Sequence, residues 1–134
     1  MRGATRGWIA AAFVACFLAV GLPYWRIPYH AVSLPSSLWG AGLVAVGLVA
    51  LLLRASRTAT FWQATLAAGA AVPAAICARV SVETGRDPTS HNLWPFEVAI
   101  ALGVGGCCSL AGALAGSALA WWTGRSSPVS GSPS

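Results

Sequence analysis

The stretch from Val98 to Trp122, VAIALGVGGCCSLAGALAGSALAWW, decides the class of this chain. It carries no charge, contains no proline and ends on two tryptophans, and it exceeds the about 20 residues that a helix needs to cross a bilayer core. Three similar runs precede it, Trp8 to Leu22, Leu38 to Leu53 and Phe61 to Ala78, each also uncharged. The first two fall short of the about 20 residues an untilted span requires, so flanking residues such as Tyr24, Trp25, Leu34 and Pro35 must complete them.

Composition agrees. Of the 134 residues, 57% are hydrophobic and only 8% charged, against about 25% charged in an ordinary soluble domain. So few charges cannot cover a water-facing shell, which makes lipid the expected solvent for most of the surface. The reading is an all-α integral membrane protein: a four-transmembrane-helix bundle with ordered outer-face loops and a disordered C-terminal tail. The spans fall at about 8–25, 36–53, 60–79 and 95–122 within a membrane domain of residues 1–123. Residues 124–134, GRSSPVSGSPS, hold almost nothing to bury and form the expected disordered tail.

All seven tryptophans, Trp8, Trp25, Trp39, Trp62, Trp94, Trp121 and Trp122, lie at the ends of runs and none in a middle. Interfacial belts sort tryptophan this way. Orientation follows from arginine, the only strongly basic residue type present. With four spans, Arg2, Arg6, Arg54, Arg57 and Arg125 share one side, while Arg26, Arg79 and Arg86 share the other with Glu83, Asp87 and Glu97. The arginine excess places both termini in the cytoplasm of a bacterial-type inner (plasma) membrane. A cleaved signal peptide ending near Pro23 is the competing reading, but Gly-Leu-Pro-Tyr-Trp stands where a small-x-small cleavage site belongs. The net charge of +5 does not indicate nucleic acid, because the arginines form no basic stripe with interleaved aromatics.

Punctuation supports the run boundaries. Ser36 or Ser37 can cap the second span and Thr58 or Thr60 the third. Pro95 suits the first turn of the fourth. Pro73 removes the backbone bond to the Gly69 carbonyl and predicts a kink inside the third span. Four cysteines, Cys16, Cys77, Cys107 and Cys108, lack metal-ligand spacing and read as small apolar filler.

Helices in lipid associate through small residues that let backbones approach. The fourth span offers Gly105, Ser109, Gly112 and Gly116 with Gly103 and Gly106, and the second offers Gly40, Gly42 and Gly47. These two helices are the expected packing centre. The GxxxG pair Gly112 and Gly116 serves either packing within one chain or a homodimer seam.

Both histidines and every acidic residue fall in two outer segments, RIPYHAVSLPSS (Arg26 to Ser37) and RVSVETGRDPTSHNLWPFE (Arg79 to Glu97). The candidate polar site is therefore Arg26, His30, Arg79, Glu83, Asp87, His91 and Glu97. Arg79 and Glu83 pair if the third helix continues past Arg79. Glu97 at membrane depth needs a partner or a task, with Arg79, His30 and His91 as candidates, although the helix dipole alone also favours it there. The bland account is a charge-balanced, proline-stiffened pair of loops. No HxxxH or HExxH spacing supports a metal, and no nucleophile motif, phosphate loop or catalytic carboxylate pair is present, so neither enzyme activity nor a cofactor is expected. Pro28, Pro35, Pro88 and Pro95 with the neighbouring aromatics predict that the two segments pack into one lid.

The leading functional expectation is an accessory or structural subunit of a membrane assembly, with the outer-face loops as its binding surface. The alternative is a small oligomeric transporter or channel element with a proton- or ion-linked outer-face site. The partners expected are the lipid bilayer and either a homo-oligomer or a larger membrane complex.

Overall fold

The third apolar run is interrupted at Ala70, three residues before Pro73. The computed structural model describes residues 2–28, 39–86 and 93–125. Within them the chain forms α1 (Arg2–Trp25), α2 (Ala41–Ala55), α3 (Phe61–Gly69), α4 (Ala71–Arg86) and α5 (Trp94–Arg125), with no strand among the described residues. Ala70 separates α3 from α4. A proline has no amide to give the carbonyl four residues back, and its ring crowds that carbonyl. The helix therefore loosens over the turn before Pro73, at the position that the sequence predicts.

Three segments are long and apolar enough to cross a membrane: Gly3–Trp25, Phe61–Arg86 and Trp94–Gly124. The fourth apolar helix, α2, has 15 residues, which at 1.5 Å per residue is about 22 Å. It starts later than the serine caps at Ser36 and Ser37 would place it. Its N-cap is Gly40, which offers no side-chain bond to the free amides. Thr60 caps α3 instead through a complete capping box: the Gln63 amide donates to Thr60 Oγ1 at 3.3 Å and the Thr60 amide to Gln63 Oε1 at 3.1 Å. At its far end the third run stays helical to Arg86, and α5 runs on to Arg125. Of the two segments expected to form a lid, residues 29–37 and 87–92 lie outside the described residues, as do residues 126–134 of the expected disordered tail, whose first two residues, Gly124 and Arg125, belong to α5.

Helix α5 packs most extensively on α2 and then on α3, while α1 packs on α4 and α2. The chain runs up and down, so the start of α1, the α2–α3 turn and the end of α5 gather at one end. The end of α1, the start of α2, the end of α4 and the start of α5 gather at the other. Glycine decides the α5 contacts. A Cβ at Gly112 would fall on the Gly47 carbonyl, and one at Gly116 on the Leu51 carbonyl. A Cβ at Gly105 would lie 2.8 Å from the Gly69 carbonyl oxygen, and one at Gly69 would lie 2.7 Å from Ser109 Oγ. Gly105, Ser109, Gly112 and Gly116 thus form one stripe pressed against the backbones of α2 and α3 of the same chain. Gly103 and Gly106 face open space. The core so enclosed contains Cys16, Val20, Val46, Val72, Ile76 and Ala113.

Candidate functional site at the paired ends of α1 and α4

Arg79 lies on α4, where it is 6% exposed, and a guanidinium at that depth must be fully engaged or it costs several kcal/mol. Its Nη1 donates to the Tyr24 carbonyl at 2.8 Å and its Nη2 to the Ile27 carbonyl at 2.8 Å. Its Nε donates to Glu83 Oε1, also at 2.8 Å, one turn farther along α4. The guanidinium stands 4.8 Å from the centre of the Tyr24 ring, within cation–π range. The carbonyls that end α1 have no intrahelical donors and carry the negative end of its dipole, so a cation is favoured there. Arg79 acts as the C-terminal cap of a helix more than fifty residues away in the chain.

A second stitch runs the other way. The Trp25 indole Nε1 donates to the Ala75 carbonyl at 3.0 Å, one turn below Arg79. The indole reaches it by folding back over Gly21, where a Cβ would come within 2.8 Å of the ring. The ring meets Phe17 edge-on, with centres 5.4 Å apart. Gly21 is therefore needed for a close approach rather than for backbone freedom.

The other site residues distribute as follows. Glu83 is partly buried and holds the Arg79 ion pair. Glu97 is half-buried in the first turn of α5, and the carboxylate paired with Arg79 is Glu83. Arg26 is exposed just past α1. His30, Asp87 and His91 lie outside the described residues. Trp25, Ala78, Val82 and Arg86 join Arg79 and Glu83 around a cavity of about 360 Å³. No group of three or more His, Cys, Asp or Glu that could hold a metal occurs among the described residues.

Sequence reasoning missed Tyr24 and Ile27 as partners of Arg79, since their contribution is a backbone carbonyl that every residue possesses. It also missed a matching arrangement at the opposite end. Arg54 Nε donates to Ser117 Oγ at 3.0 Å and its Nη1 to the Ala59 carbonyl at 3.1 Å, while Arg57 Nη2 donates to the Ala120 carbonyl at 2.9 Å. Arg57 has a left-handed φ of 55°, a conformation that glycine more often supplies just past a helix. No family model matches this chain, and no curated protein and no solved structure matches it.

Proposed function

We propose that this chain is a four-span protein of a bacterial-type inner membrane with both termini cytoplasmic, serving as an accessory or structural subunit of a larger membrane assembly through its outer-face segments. The observation that carries this reading is how little the interior offers to a solute. Among the described residues the buried polar side chains are Thr65, Arg79 and Ser109. Arg79 is engaged by α1 and Glu83, and Ser109 donates to the Gly106 carbonyl at 3.1 Å. Between the two arginine stations the hydrophobic core is Ala, Val, Ile, Leu and Cys, and the isolated hydroxyls of Thr65 and Ser109 do not make, among the described residues, the continuous polar path that a transporter or channel lines with side chains or open backbone.

The exterior supports the membrane part of the reading. Trp8, Trp62, Trp121 and Trp122 are exposed near one end of the bundle, and Trp25, Trp39 and Trp94 near the other. Leu48, Leu102 and Leu114 are exposed between them. Two aromatic girdles around an apolar waist suit a bilayer. Helix α2, at about 22 Å, is short for a hydrocarbon core of about 30 Å, a mismatch that local thinning or flanking residues accommodate.

Two measurements test this. Reporter fusions after Arg57 and after Arg125 should behave as cytoplasmic and one beside Asp87 as external; an external C-terminus overturns the four-span topology. Gentle detergent extraction followed by intact-mass analysis should find the chain bound to a different membrane protein in fixed stoichiometry. A homo-oligomer that passes ions or solutes in vesicles would replace the subunit reading with the transport one.

A further inference from the structure

A groove of about 480 Å³ opens between α1 and α2 at the end of the bundle opposite Arg79. Its walls are Ala11, Ala12 and Ala15 on α1 and Val49, Leu52 and Leu53 on α2. Three alanines on one helical face are what leave the space, since any longer side chain there would fill it. The exposed Trp8 stands at the rim. The mouth is polar: Ser56 and Thr58 line it, with their hydroxyl oxygens 2.8 Å apart.

The charge around that mouth has one sign. Arg54 and Arg57 bracket Ser56 in the chain and are held in place by α5 through Ser117 and the Ala120 carbonyl. Arg6 is exposed on the first turns of α1 at the same end. Of the three acidic residues in the sequence, Glu83 lies at the far end of α4 and Glu97 in the first turn of α5, and Asp87 is outside the described residues. An apolar slot, opening beside a tryptophan onto hydroxyls with guanidinium groups close by in the chain, is complementary to one acyl chain of an amphiphile with an acidic head.

Resting on the membrane reading above, we propose that this groove is a binding site for an anionic phospholipid. One acyl chain lies along the alanine face of α1, and the phosphate sits at the Ser56–Thr58 turn in the field of Arg54 and Arg57. A neutral phospholipid fills the same slot without using that field, so the site selects by headgroup charge. Basic segments at the cytoplasmic surface attract anionic lipids by the same physics.

The test uses the full chain extracted from membranes, stripped of lipid, and exposed in detergent to phosphatidylglycerol or phosphatidylcholine, with bound lipid counted by intact-mass analysis. Phosphatidylglycerol should be retained about tenfold more tightly than phosphatidylcholine, roughly the effect of 1.4 kcal/mol, and the preference should shrink as salt screens the arginines. The double variant Ala11→Leu, Ala15→Leu, which fills the slot from exposed positions, should lose phosphatidylglycerol while melting at an unchanged temperature. Equal retention of the two lipids by the unmodified chain overturns the proposal, whether or not the variant folds. So does undiminished retention by a folded double variant, or the appearance of a dimer that the leucines abolish. A chain recovered from the soluble fraction overturns the membrane reading itself, whereas a membrane-extracted chain without lipid preference removes only this site.

Discussion

Gly112→Leu should lower the thermal midpoint in mild detergent more than any other single change on α5, with a loss of about 3 kcal/mol or more, at the upper end of what overpacking costs. The reason is the kind of atom in the way. A Cβ at Gly112 would fall on the carbonyl of Gly47 and come within 3.0 Å of its Cα. A flexible side chain could swing aside, but a helical backbone cannot, so α2 and α5 must separate along their whole contact. Separation also disturbs Gly116, where α5 meets Leu51 and Arg54 in the next turns. Gly103→Ala is the control. Nothing lies within 4 Å of the Cβ it adds, and replacing a mid-helix glycine by alanine should gain about 0.5–1 kcal/mol. Equal midpoints for the Gly112 and Gly103 variants would mean that the small-residue stripe does not hold α5 to α2.

Arg79→Ala should be comparably damaging, about 3 kcal/mol or more, because it removes three hydrogen bonds from a charged donor, each worth about 1.5–3 kcal/mol. Three acceptors lose the guanidinium at once, the Tyr24 carbonyl, the Ile27 carbonyl and Glu83 Oε1, and the Tyr24 carbonyl keeps the Ile27 amide at 3.2 Å. The Tyr24 ring also loses its cation. The damage should be specific in place, since amide hydrogen exchange ought to rise over the last turn of α1 and the last two turns of α4 before the α2–α5 seam changes. Arg79→Lys should recover only part of the loss, because a single ammonium cannot reproduce a planar fork aimed at two carbonyls and a carboxylate. Glu83→Gln should cost far less: that side chain is 28% exposed, and an amide oxygen can still accept from Nε. A melting curve for Arg79→Ala indistinguishable from the parent would show that the buried guanidinium is dispensable to the fold.

Which features were legible in advance depended on how local their causes are. The all-helical character, and the length and apolarity of the segments containing α1, α3–α4 and α5, follow from composition and from uncharged runs. The interruption beside Ala70 was legible because proline's missing amide acts on a carbonyl four residues away in the same helix. The Arg79–Glu83 pair was legible for the same reason, since i, i+4 spacing brings two side chains together on any helix. The late start of α2 was not: two serines near its expected start resemble a cap, yet the helix begins after Gly40.

Residue types and their spacing suffice for an all-helical chain with segments long and apolar enough to cross a membrane, tryptophan at the segment ends and a break where Pro73 denies Gly69 its bond. Each of these is written into residue type and short-range covalent geometry. Tertiary structure alone decided which small residues of α5 touch another backbone. Gly103, Gly105 and Gly106 look alike in the sequence, but only Gly105 faces α3 and α4, because the rotation of a helix about its own axis is set by what it packs against. It also decided that Arg79 caps α1, and that Arg54 and Arg57 bind α5. Several of those acceptors are main-chain carbonyls, present at every position and therefore invisible as a signal until the fold brings one of them opposite a buried charge.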